Sequence, residues 1–150
     1  MRKLHFEIVI NAPKEKVWET VVGKESYSEW TAPFSSSPSY FEGTWEKGSK
    51  MKFLSKDEQG KMGGMLSEIA ENKPGEFLSI KHVGMIMNGV EDTESENVKK
   101  WAPAFENYAL REEGGGTKFI VDIDVAEEWV EMFNDMWPKA LEKLKEISER

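Results

Sequence analysis

Glu106, His82 and Tyr108 are the residues whose types and spacing could do chemistry together. Glu106 and Tyr108 stand two apart in a stretch that alternates like a strand, so both point to one face, and Leu110 goes with them. Parity on a second predicted strand groups His82 with Leu78, Ile80, Gly84 and Ile86. If both faces are inward, a carboxylate lies in an apolar interior, where it needs a donor such as His82 or Tyr108. Two outcomes fit that pairing. One is a functional group, either ligand-orienting or an acid–base couple able to serve a hydrolase or cyclase; the other, which is favoured, is a satisfied structural hydrogen bond beneath the helix. Both depend on parity, because a one-residue slip would send Glu106 into solvent.

Little other chemistry is available. The chain has no cysteine, which removes disulfides, thiol catalysis and thiolate metal sites, and its two histidines are too few for a histidine-rich metal centre. There is no H-E-x-x-H pair, G-x-S-x-G elbow or Walker-type loop. The acidic run from Glu91 to Asn97 lacks the glycine and ligand spacing of a calcium loop and reads as a solvated surface loop at the rim. No cofactor and no metal are called for. A net charge of −8 with scattered basic residues argues against nucleic acid and anionic membrane surfaces.

The elements that must position these residues follow from periodicity. Leu4, Phe6, Ile8 and Ile10 alternate with polar or exposed positions, a half-buried strand that Asn11-Ala12-Pro13 stops. Pro13 opens a short helix through Val17, Trp18, Val21 and Val22 to Gly23. Residues 24–39 read as a loop holding Tyr27, Trp30 and Phe34. Strands are then predicted over 40–45, 49–55, 61–71, 77–87, 101–111 and 117–125, separated by turns at Glu46-Lys47-Gly48, Asp57-Glu58-Gln59-Gly60, Asn72-Lys73-Pro74-Gly75 and Gly114-Gly115-Gly116.

The last strand feeds one long amphipathic helix. At 100° per residue Trp129, Val130, Phe133, Met136, Trp137, Ala140, Leu141, Leu144 and Ile147 share an arc of roughly 140°, which leaves Met132 outside. Pro138 sits mid-helix, removes one backbone bond and predicts a kink that would let the helix follow a curved sheet. The fold class is α+β: a seven-stranded curved antiparallel sheet gripping a long C-terminal helix, with a short helix after strand 1 and a core or cavity between sheet and helix. One domain over residues 1–150 is expected.

These segments, in order, carry a resemblance. The first strand with Pro13-Lys14-Glu15-Lys16-Val17-Trp18, the isolated Trp30, Gly63-Gly64-Met65-Leu66-Ser67-Glu68-Ile69, Phe105-Glu106-Asn107-Tyr108, the Gly116-Thr117 turn and the terminal helix resemble the START-like, helix-grip (SRPBCC) superfamily that includes the birch pollen allergen. Within it the chain is similar to bacterial homologues of the activator of the ninety-kilodalton heat-shock chaperone's ATPase. The resemblance implies a sheet gripping the helix around a cavity that often accepts hydrophobic ligands. Eukaryotic activators carry a further domain ahead of this one, which these 150 residues do not include.

The expected function is non-enzymatic binding of a small hydrophobic or lipid-like molecule, with a chaperone-activator-like interaction module as the alternative and a Glu106–His82 hydrolase or cyclase as the second. Candidate cavity residues are Trp30, Trp45, Phe53, Met65, His82, Glu106, Tyr108, Phe133 and Trp137. Trp101 and Trp129 could join them. The partner is then a small hydrophobic molecule, with chaperone contact possible, no nucleic acid and no membrane insertion. The chain has no apolar leader and no run near the ~20 residues of a span, and a cytoplasmic location is expected.

Overall fold

The structure is a computed structural model that describes residues 1–150. Strands β1 (Arg2–Ile10), β2 (Tyr40–Glu42), β3 (Lys50–Lys56), β4 (Met62–Lys73), β5 (Phe77–Met87), β6 (Val90–Asp92), β7 (Ala104–Glu113) and β8 (Gly116–Val125) form one antiparallel sheet. Its main path runs β1-β8-β7-β5-β4-β3-β2, while β6 pairs with β5 alone. Helices α1 (Lys14–Val22) and α2 (Lys24–Trp30) connect β1 to β2, α3 (Glu96–Lys99) precedes β7, and α4 (Val130–Ser148) closes the chain. No helix is long and apolar enough to cross a membrane.

The inward residues of β1 and β8 behave as alternation requires: Leu4 and Ile10 on one strand and Phe119, Val121, Ile123 and Val125 on the other join the buried core. Against them α4 lays Val130, Trp137, Ala140, Leu141, Leu144 and Ile147. Trp137 stacks on Phe6 with centroids 6.0 Å apart and meets Phe34 edge-on at 5.0 Å. The helix runs unbroken through Pro138, which is exposed. Its end is fastened by polar contacts: Glu149 accepts from the Asn11 amide at 2.8 Å, and the Arg150 guanidinium forks onto Glu29 at 3.2 and 2.6 Å. Leu144 is fully buried, so Leu144→Ala should lower stability by ~2–5 kcal/mol in chemical denaturation, whereas a loss under ~1 kcal/mol would mean that α4 does not grip the sheet.

Three expectations need correction. Residues 24–30 form a helix rather than a loop, followed by a 3-10 turn at Ala32–Phe34; Gly23 ends α1 and caps α2, so two helices abut where one stop signal was visible. Trp101 precedes β7 instead of starting it, and Ser95, in the acidic run, caps α3 by accepting from the Val98 amide. Gly84 and Ile86 do not share the face of His82. Leu66 pairs with Gly84 but Ser67 with His82, so Val83 is an extra residue in a β-bulge, and parity flips beyond it. Ile86 accordingly packs with Leu54 and Leu66 in a separate small cluster, while Met85 turns inward.

On the outer side of β1 and β8, His5 lies between Glu7 (2.9 Å) and Asp122 (2.7 Å). The hydrogen bond to Glu7, then that to Asp122, raises the imidazole above its ordinary 6.5. A raised folded value means that the stabilisation is full below the unfolded value and is lost as pH rises through the folded one. An NMR titration should place the His5 midpoint above 6.5 and show it falling in Glu7→Gln; a midpoint at or below 6.5 in the unaltered chain would refute the contact.

Candidate functional site

Between α4 and the sheet lies a cavity of about 400 Å³, walled by 24 residues of which 19 are hydrophobic. The sheet supplies Phe53 from β3, Met65 from β4, Ile80, His82 and Met85 from β5, and Glu106 and Tyr108 from β7. Phe133 and Trp137 come from α4, and Tyr27 and Trp30 from α2. Trp101 and Trp129 complete the wall, Trp129 half exposed. Eight of the nine expected cavity residues therefore meet in one space. Trp45 does not: it packs against Tyr27, Phe41 and Phe53, and its indole N–H donates to the Val22 carbonyl at 3.1 Å.

A polar chain is set into this apolar wall. His82 Nε2 lies 3.0 Å from Glu106 Oε1, and the Tyr108 hydroxyl donates to Glu106 Oε2. On the other side His82 Nδ1 lies 2.6 Å from Ser67 Oγ. Ser67 is fully buried and has no other side-chain partner, so its O–H must donate to Nδ1, and the imidazole carries its proton on Nε2. Every member is then satisfied: Ser67 donates to His82, His82 to Glu106, and Tyr108 to Glu106. The Glu106 side chain is 17% exposed and that of His82 10%. Burial and then the negative field of Glu106 push the Tyr108 phenol well up, and the same two causes in the same order raise Tyr27. Both phenols stay protonated, as donors.

Chemically this arrangement can hold a carboxylate at fixed geometry in an apolar chamber and relay a proton along His82. Asp124, also at the wall, differs. Burial pushes its carboxyl up, but the Lys3 ammonium at 2.7 Å and the Phe105 amide at 3.0 Å together bring it below the usual range. No group of three His, Asp or Glu side chains is placed to hold a metal ion.

Several wall residues were missed in the sequence. Tyr27 stands three residues before Trp30, a helical spacing that the loop-like reading of 24–39 hid. Met85 is turned in by the bulge, which leaves no sequence signal. Met132 falls outside the apolar arc of α4 yet reaches the cavity from the first turn of the helix.

A curved antiparallel sheet gripping a C-terminal helix around a chamber defines a helix-grip, START-like domain. Residues 11–149 match the family described as activator of Hsp90 ATPase homolog 1-like protein, and the chain belongs to that family. Among solved structures it is similar to the Aha1 dimer of Colwellia psychrerythraea at 16% identity and a TM-score of 0.72, covering 99% of this chain and 97% of that one. A protein of Nitrosomonas europaea gives 14% identity and a TM-score of 0.74 over 97% of this chain and 92% of that one. CalU16 of Micromonospora echinospora gives 18% and 0.67 over 98% and 76%. At such identities the likeness is one of fold. No curated protein matched the chain.

The polar chain makes Ser67→Ala informative. It strands Nδ1 of a buried histidine without a donor, which should cost ~1–3 kcal/mol in denaturant unfolding. A loss under ~0.5 kcal/mol would contradict the Ser67–His82 hydrogen bond.

Proposed function

We propose that this protein binds a small hydrophobic or lipid-like molecule in the chamber between α4 and the sheet, without acting on it. The observation that carries the reading is the chamber itself: at about 400 Å³ it falls within the ~300–1,000 Å³ range of small-molecule sites, and its wall is apolar with a few convergent polar groups. Trp137 packs on Phe6 and Phe34 yet still borders the chamber, so the helix is held in place without filling the space beneath it. A cysteine-free chain suits the reducing cytoplasm, where we propose that it works.

Membership of the activator-homologue family supports a second reading, contact with a heat-shock chaperone. Stimulation of a bacterial Hsp90 ATPase that survives filling of the chamber would favour it.

The ligand reading is tested with the neutral fluorophore phenyl-naphthylamine. It should bind with micromolar affinity and quench tryptophan emission, and Ala104→Phe, which projects a ring from the wall, should weaken it at least ~10-fold while melting stays cooperative. No saturable binding, or equal affinity in the variant, would refute occupation of the chamber.

A further inference from the structure

We infer that the chamber selects ligands carrying a protonated amine on an apolar, ring-sized body, and rejects carboxylates of the same shape. The inference rests on the ligand-binding reading above and names the charge of the molecule that enters.

It follows from counting charges around Glu106. The Ser67 hydroxyl donates to His82 Nδ1, so that nitrogen bears no proton and the imidazole is neutral. A protonated Nδ1 would leave the Ser67 hydrogen without an acceptor in a fully buried position. The two donors to Glu106, His82 and Tyr108, are therefore both uncharged, and the carboxylate's negative charge has no cationic partner. No lysine or arginine side chain lines the chamber. The other acidic wall residue, Asp124, holds Lys3 at 2.7 Å, and the one cationic group at the wall, the amino group of the exposed Met1, makes no ion pair with Glu106. Of the two carboxylates, Glu106 alone is left uncompensated. Tyr27 adds no charge, because burial and the field of Glu106 keep its phenol protonated.

A carboxylate offers about four acceptor positions, and His82 and Tyr108 occupy two of them. The remaining positions suit an ammonium donor. Aromatic faces stand around this spot: the Phe53 ring is 6.1 Å from His82, the Trp30 ring 6.3 Å from Tyr108, and Tyr27 lies 5.8 Å from Trp30 and 6.0 Å from Phe53. Such rings replace part of the water that a cation gives up on entry. The folded chain has already desolvated the carboxylate, so only the ligand's own desolvation opposes the pairing. A ligand carboxylate set against Glu106 would meet its charge with no cation paired to it.

The test uses three molecules of one shape at neutral pH: naphthylethylamine (cationic), naphthylethanol (neutral) and naphthylacetate (anionic). Each competes with phenyl-naphthylamine on the unmodified chain. The amine should bind ~10-fold tighter than the alcohol and ~100-fold tighter than the acetate, the range that a charge-assisted contact commands. In Glu106→Gln the amine's advantage over the alcohol should collapse to within ~3-fold. Alcohol or acetate binding as well as the amine overturns the inference and leaves the ligand reading standing. Binding of none of the three, nor of the neutral probe, overturns both. The ranking on the unmodified chain decides the matter even where the variant does not fold.

Discussion

A carboxylate taken into an apolar interior has to be met by donors, and the inner face of this sheet is laid out so that Glu106 is met. Its partners come from strands that are neighbours only after folding. His82 on β5 reaches Glu106 on β7 because Ile80 pairs with Glu106 and His82 with Ala104, while Ser67 reaches His82 because β4 is on the other flank of β5. Tyr108 is two residues along on the same face. Register in three strands is thus tied to one hydrogen-bonded chain: a slip of one residue in β5 would take His82 away from Glu106, and one in β7 would turn Glu106 to the outer face.

That polar chain also bears on why the space above it is not filled. Closing α4 down over Glu106 would seal the carboxylate beneath Phe133 and Trp137. Instead the helix is held further along, by Ala140, Leu141, Leu144 and Ile147 against the core and by Glu149 and Arg150 at its end, and its first turns bridge the chamber. The aromatic side chains of α2 and α4 therefore divide their work between packing and lining. Trp30 is fully buried and donates to the Val21 carbonyl at 3.3 Å, yet it borders the chamber.

Most of this was legible in the sequence, for physical reasons. Period-2 alternation in residues 2–10 and 116–125 and period-3.6 in α4 specify the sheet and the gripping helix, and parity puts Glu106, Tyr108 and His82 on the inner face, where the β5–β7 pairing brings them together. What was hidden has a common cause, local backbone irregularity. The extra residue Val83 flips the face of β5 and turns Met85 inward, which no pattern of residue types announces. Gly23 serves two helices at once, so α2 and with it Tyr27 passed for loop. Trp45 looked like any other aromatic; its place was decided by the Val22 carbonyl, a tertiary partner 23 residues away.

The central claim is that Glu106 is a carboxylate held by neutral donors, facing an apolar chamber and ion-paired to no cation. The ring nitrogens of His82 report it most directly by nitrogen-15 NMR at neutral pH. The account predicts one protonated nitrogen, Nε2, and one unprotonated nitrogen, Nδ1, that accepts from Ser67. Two protonated ring nitrogens would make the pair an internal salt bridge and contradict it.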